Sequence, residues 1–576
     1  MQSTKKGWLR FIAVFAVLTL ILVACGDGAE ETTTTAAPGE TTTTADSGNG
    51  DTTTTTTEAV VGPEGVFSTY ISEPEHLTPS TSNESEGVAV LRALFKGLVD
   101  YDVRTSEPRN QVAESVVSDD AGQNWTITLK DGWTFHNGES VTAQNFVDTW
   151  NWTAYGPNGQ QNNSFFGNFV GYDEVAPAEG DPTAETLSGL AVVDDLTFTV
   201  ELQTPDPQFP IQIGYSAFFP LPAAFFEGDL TPEERVAAFD EAPIGNGPFM
   251  IDGVWEHNVQ IATTYYPDYT GDDFPASAGI IFQIYADEAT AYNDLLAGNL
   301  DVMDSLPTEQ VEAAKAEFGD RYLESTTTSF NYLGFPSYDP QLGDNKELRQ
   351  ALSMAIDREL ITTTVLGGSR QPAYSVIPPS LPGYRESVCE NWEYDPVAAK
   401  AKYDASGGFT GTMTMWFNSG AGHDDWVEAV SNMWRDTLGI EEIVFEQLPF
   451  AEFLPKIDAQ EITGPFRLGW GMDYPSPQNF LEPLFASYNA APVGSNNTIY
   501  NSPEFDAAVA AGNAAAIDGL DAAIPDYQAA EDILCEDVPA APMFFGKNIF
   551  AHSERVSNVW VDSFSDIAYT EISVNQ

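Results

Sequence analysis

Polar and apolar residues alternate through Trp125, Ile127 and Leu129 and again through Leu196, Phe198, Val200 and Leu202, the two-residue period of strands with one face in a core. From Leu348 the period lengthens. Ala351, Leu352, Ala355, Ile356 and Leu360 fall three or four apart along the helical repeat and predict a helix with one buried face. A second helix is predicted through Val427, Val430, Trp434 and Leu438. It stops at Gly439, the residue type that best tolerates the left-handed conformation after a helix end, and Ile443-Val444-Phe445 follows as a strand. A third, around Tyr292, Leu295 and Leu296, ends at Gly298 ahead of a strand at Leu300-Asp301-Val302. Repeated helix-then-strand order predicts an α/β protein. Pro- and Gly-rich joints near 156–159, 176–182, 205–210, 242–248 and 378–383 fit loops and domain boundaries equally well.

The first 65 residues follow neither period. Lys5, Lys6 and Arg10 precede an almost uninterrupted apolar run from Phe11 to Ala24, which closes in Leu22-Val23-Ala24-Cys25. About 14 apolar residues fall short of the roughly 20 that span a bilayer, and the small residue before the break suits a signal peptidase, so residues 1–24 are expected to be a secretory leader. The tetrapeptide resembles a bacterial lipobox, which implies cleavage before Cys25 and lipid on its sulfur and new amino group. Thr runs at 32–35, 41–44 and 52–57, broken by Gly, Ala, Pro and acids and lacking aromatics, cannot bury enough surface to offset their ordering entropy. Residues 25–65 are therefore expected to be a lipidated, Thr-rich disordered tether, with glycosylation of the Thr tracts left open. Two cysteines remain, Cys389 and Cys535. Outside the cytoplasmic membrane such a pair is expected to form a long-range disulfide, two free buried thiols being the alternative.

At 576 residues the chain has room for about three domains. Its 23 Lys+Arg against 86 Asp+Glu give a net charge of −63, or −66 once the three positive charges of the leader are removed. Such a field repels phosphate backbones, which excludes nucleic acid as a partner. The 42% apolar and 12% aromatic content exceeds what acidic disordered chains carry. The bulk of the chain folds, and the acidity belongs to its surface, as a saline habitat or a solubility requirement would favour.

Catalytic signatures are missing. There is no Walker-type loop, no His-Glu-x-x-His and no Gly-x-Ser-x-Gly. Gly245-Asn246-Gly247 lacks the third glycine of a dinucleotide fingerprint, and His76, His136, His257, His423 and His552 are scattered without ligand spacing. No metal, cofactor or enzymatic activity is expected.

Several ordered segments together resemble the extracellular solute-binding proteins of family 5, most closely its oligopeptide-binding branch. Leu94-Phe95-Lys96-Gly97-Leu98-Val99 resembles the early helix of the family. The stretch from Trp133-Thr134-Phe135-His136-Asn137-Gly138-Glu139 through Val141-Thr142-Ala143-Gln144-Asn145-Phe146 is its most specific signature. Gly245-Asn246-Gly247-Pro248-Phe249, Tyr266-Pro267-Asp268-Tyr269, Leu296-Ala297-Gly298-Asn299-Leu300-Asp301 and the run from Leu348 to Arg358 follow in the family's order. Gly469-Trp470-Gly471-Met472-Asp473-Tyr474 matches its Gly-Trp-x-x-Asp-Tyr.

The resemblance implies an α/β, periplasmic-binding-protein-like (class II) fold. Residues 66–105, 241–328 and 536–576 would form lobe I, 106–240 an inserted domain II, and 329–535 lobe III, closing over a ligand in the cleft. It further implies a monomeric, lipid-anchored binding component that delivers oligopeptides to the permease and ATPase of an ABC importer. Relatives with the same fold take other solutes, so a metal chelate, opine or oligosaccharide stays open, as do an extracytoplasmic hydrolase and a sensory lipoprotein.

By the same resemblance Asp473 would hold the peptide ammonium, with Trp470 as a flat wall and Tyr474 beside it. Arg467 and His423 would be the cations that receive the peptide carboxylate. Asn83 and Ser85 occupy the positions of a ligand-contacting strand, where relatives carry an acid and this chain has Asn83. The acidic surface is expected to face solvent rather than to line the cleft for cationic peptides.

Overall fold

The computed structural model describes residues 63–575 except 119, 178, 420, 421, 492 and 493. The leader, Cys25 and most of the tether lie outside the described residues. Among those described, no helix is long and apolar enough to cross a membrane.

One mixed sheet of 11 strands organises the α/β fold. At its centre two 13-residue strands, Tyr322–Gly334 and Ala540–His552, pair antiparallel on either side of an irregularity. On one side the sheet continues through Val302–Met303, Val66–Ile71, Gly279–Ile284, Gln260–Tyr265 and Phe249–Ile251. On the other it continues through Phe466–Trp470, Met413–Asn418 and Ile443–Leu448, and the short strand Arg370–Pro372 also pairs with Ala540–His552. The long strands therefore feed cores on both sides. Phe550 packs with Phe67, Leu91 and Phe282, whereas Phe545 packs with Phe330, Phe480 and Tyr527.

The predicted strands around Ile127 and Phe198 form as Asn124–Leu129 and Thr197–Glu201, adjacent in a separate four-stranded sheet. Trp125, Ile127 and Leu129 all face its core, against Phe146 and Trp150 of the helix Ala143–Ala154. That helix starts where Thr142 and Asn145 form a capping box, which satisfies two otherwise orphan donors.

The helix Asp424–Leu438 ends at Gly439, whose φ is +85°, and Glu288–Ala297 ends at Gly298 in the left-handed region, as the patterns predict. Two expectations require correction. The helix from Lys346 ends at Met354, and Leu360 lies in a separate short helix, Arg358–Leu360, where it is exposed. The break follows from two side chains. Asp357 accepts from the Leu360 N–H, starting a new helix, and the fully buried Arg358 donates to the Pro542 carbonyl at 2.5 Å. The strand near residue 300 covers only Val302–Met303, because Asp301 turns its carboxylate to Ser68, Ser553 and Arg555.

Cys389 and Cys535 are joined as a disulfide with Cα atoms 6.1 Å apart. Cys535 lies at the end of the helix Leu520–Asp537, buried in the core that contains Phe480 and Tyr527.

Candidate functional site

The two long strands lose register at their middle. Thr326 stands opposite Lys547 and Phe330 opposite Phe545, so Thr327, Thr328 and Ser329 face Gly546 alone. A Cβ at Gly546 would come within 2.2 Å of Thr327 Oγ1 and 3.1 Å of Ser329 Cβ, so a bare backbone is what lets the bulged segment lie this close. A cavity of about 660 Å³ opens at this irregularity.

Arg467 reaches it from the strand Phe466–Trp470, which pairs with Phe330–Gly334. Its guanidinium donates to Asn418 Oδ1 at 3.0 Å and to Asn331 Oδ1, while Nε has no partner. Gly469, opposite Asn331 in the register, leaves room beside the guanidinium, since a Cβ there would lie 3.1 Å from it. Arg467 makes no ion pair, and burial lowers its pKa to about 10, opposed by Tyr332. A guanidinium held by two neutral amides keeps its charge available.

His423 precedes the helix Asp424–Leu438 and is buried. Trp426 Nε1 points at its Nδ1 at 3.2 Å. Indole N–H can only donate, so Nδ1 accepts and the neutral ring carries its proton on Nε2. That nitrogen has no partner and the residue lines the cavity. Burial first, then Arg467 and Arg370, pull the pKa down to about 4 against the opposing Asp424. His423 thus offers the cavity a neutral hydrogen-bond donor.

Arg370 and Lys547 also line the cavity, and among the described residues no Asp or Glu does. Neither residue was singled out from sequence. The only signal was Gly546 inside an apolar strand, a mark of a bulge or a close backbone approach.

Gly471 and Met472 form one end of the cavity wall, and Asp473 follows them. The Asp473 side chain is solvent-accessible and makes no ion pair. Asn479, itself buried, holds it: the amide nitrogen donates to Asp473 Oδ2 at 2.9 Å, while Oδ1 accepts from the Asp473 N–H at 3.0 Å and from Trp470 Nε1 at 3.2 Å. Surrounding protein raises the carboxyl pKa by desolvation, against the Asn479 hydrogen bond. Its charge also acts on Tyr215, within residues 106–240.

Trp470 lines a second cavity of about 260 Å³ that shares Arg467, Asn331, Ser329 and Gly471 with the first, and Phe450 forms its other apolar wall. Tyr474 points elsewhere. It packs on the core containing Trp125 and Phe198, and its hydroxyl donates to the Gln478 side chain. Asn83 and Ser85 are exposed at the start of the helix Ser85–Leu94 and line neither cavity.

The family model described as bacterial extracellular solute-binding proteins, family 5 Middle, matches residues 107–492, more than half of the chain. The oligopeptide-binding protein OppA of Bacillus subtilis is 25% identical, covering 98% of this chain and 99% of its own. The periplasmic murein peptide-binding protein MppA of Escherichia coli is 28% identical over 86% of this chain and 90% of its own. Among solved structures, the unliganded open form of MppA superposes with a TM-score of 0.79 at 24% identity, covering 89% of this chain and 97% of that one. OppA of Haemophilus influenzae in complex with RPPGFSPFR gives 0.58 at 22% identity, over 89% and 99%. The α/β fold, the ordered motifs and the family match agree: this chain belongs to the bacterial extracellular solute-binding proteins of family 5.

Proposed function

We propose that this protein is the lipid-anchored, extracytoplasmic binding component of an ABC importer and that it takes oligopeptides. The observation that carries the reading is one segment of chain presenting two opposite, unpaired charges. Among the described residues, Arg467 enters a cavity without acidic walls, and six residues later Asp473 stands without a cation. An extended peptide has the same layout, an ammonium at one end and a carboxylate at the other. Its backbone between them can bond to main-chain groups without reading side chains. The peptide-binding names of the relatives support the same class.

In this reading Asp473 receives the ammonium, and Arg467 with the His423 Nε2 proton receives the carboxylate. Trp470 and Phe450 cover an intervening side chain. Residues 66–105, 241–328 and 536–576 act as lobe I, 106–240 as domain II and 329–535 as lobe III. The paired long strands carry the hinge at Thr327–Ser329 and Gly546, and lipid on Cys25 holds the protein at the membrane. Asn83 and Ser85 would reach ligand only once the lobes close.

The test is mass spectrometry of small molecules released when the purified mature protein is denatured, followed by calorimetric titration with synthetic peptides. Recovery of peptides and their stoichiometric rebinding are expected. A tightly held non-peptide solute, or turnover of the peptide, would overturn the reading.

A further inference from the structure

The cavity holds more positive charge than a single peptide terminus requires. Arg467, Arg370 and Lys547 converge on it, and among the described residues no Asp or Glu lines it. Lys547 bonds to Glu324 at 3.1 Å and to the Gly368 carbonyl at 3.2 Å, so its charge is largely answered. Arg467 and Arg370 are not. Arg467 is bonded to two neutral amides. Arg370 makes no ion pair and donates to the Ser369 carbonyl at 2.7 Å.

The fold fixes their separation. Arg467 lies on the far side of Tyr322–Gly334, whereas Arg370 stands opposite Gly546 on the other flank of Ala540–His552. Two guanidiniums thus approach one cavity from different strands, with the strand irregularity between them. His423, with Nε2 free, feels the charge of both. Arg370 lines the cavity from an exposed strand position, where a guanidinium without a carboxylate partner gains a charge-assisted hydrogen bond from an anion.

We infer that Arg370 forms a second anion position beside the Arg467–His423 position, so that the site favours peptides whose last residue carries a side-chain carboxylate in addition to its terminal one. This rests on the peptide reading above. The terminal carboxylate occupies Arg467 and His423. The second carboxylate turns toward Arg370. One extra charge-assisted hydrogen bond corresponds to about a tenfold gain.

The experiment is calorimetric titration of the full mature chain with alanine-based tripeptides to pentapeptides that differ only in the last residue, Glu against Gln. Peptides with Glu first and Ala last serve as the control for charge alone. Glu-ended peptides are expected to bind about tenfold more tightly than Gln-ended ones. In Arg370→Gln the Glu-over-Gln ratio of affinities falls to about one, whatever change both peptide series share, and in 1 M NaCl the preference shrinks in the wild type. Arg370 is solvent-accessible, so the variant keeps the fold. Equal affinity for Glu- and Gln-ended peptides, a preference that survives Arg370→Gln, or the same gain from an N-terminal Glu would each overturn the inference alone. Failure of every peptide to bind would overturn the peptide reading with it.

Discussion

Asn479 clamps Asp473 at both ends, donating to its carboxylate at 2.9 Å and accepting from its backbone N–H at 3.0 Å. The same carbonyl oxygen holds Trp470 Nε1 at 3.2 Å. One buried amide therefore fixes the direction of an unpaired carboxylate and of the aromatic wall beside it.

Asp473→Ala is expected to weaken binding of free peptides by about 1.5–3 kcal/mol, the worth of a hydrogen bond to a charged group. N-acetylated peptides should bind wild type and variant alike, and titration calorimetry reads both. Asn479→Ala should cost stability, about 1–3 kcal/mol for the polar groups left without their partner, and should weaken binding in parallel.

Arg467→Met keeps the apolar stem and removes the charge. Peptides with a free C-terminus should lose at least tenfold in affinity, whereas C-terminally amidated peptides, already weak, should lose little more. The difference between the two peptide series is the quantity to measure. An equal loss in both would assign Arg467 to positioning Asn331 and Asn418 rather than to the ligand.

The His423 pKa near 4 predicts that carboxylate binding does not change through a histidine titration between pH 8 and pH 5.5. Weakening on further acidification should come from Asp473, whose raised pKa makes it lose charge before an ordinary aspartate does. Affinity measured against pH in wild type and His423→Gln should show the same midpoint.

Asp304 is half-buried, and desolvation pushes its carboxyl from 3.8 up to about 7. A folded pKa above the unfolded one means that the folded state keeps its proton longer. This contribution to stability is complete below about pH 3.8 and is lost as pH rises to about 7. Asp304→Asn removes the cost, so the variant should be more stable than wild type at pH 8, by up to about 4 kcal/mol. The gap should close toward pH 4, and urea melts at the two pH values check it.

Gly546→Val places branched carbons where Thr327 Oγ1 and Ser329 already stand. If the long strands flex here on ligand closure, the substitution should leave secondary structure intact and reduce the ligand-induced change in radius of gyration. Small-angle scattering with and without peptide measures this.

The disulfide closes 146 positions of chain, a constraint worth about 2–5 kcal/mol against the unfolded state. Cys389→Ser with Cys535→Ser should lower the urea midpoint accordingly, and reductant should have no further effect on the variant.

Local periodicity was enough to place the strands around Ile127 and Phe198 and the helix that stops at Gly439, because each turns one apolar face to one core. The ordered motifs pointed to the family and to Arg467, His423 and Asp473, since those residues lie within short segments whose spacing survives in sequence. What periodicity could not supply was the end of the helix at Met354. There a buried Arg358 bonds to a carbonyl 184 positions away, and that contact outweighs the apolar repeat through Leu360.

The rest of the site was decided by tertiary structure. Arg370, Lys547 and Gly546 come from segments that carry no motif, and they join Arg467 only because Ala540–His552 pairs with both Arg370–Pro372 and Tyr322–Gly334. The protonation of His423 was likewise invisible in the chain. It depends on a Trp426 N–H that can only donate, on burial, and on two guanidiniums brought close by strand pairing. Sequence set the overall charge at −63. Folding alone kept the acids among the described residues out of the walls of one cavity, because wall composition depends on which distant segments meet there.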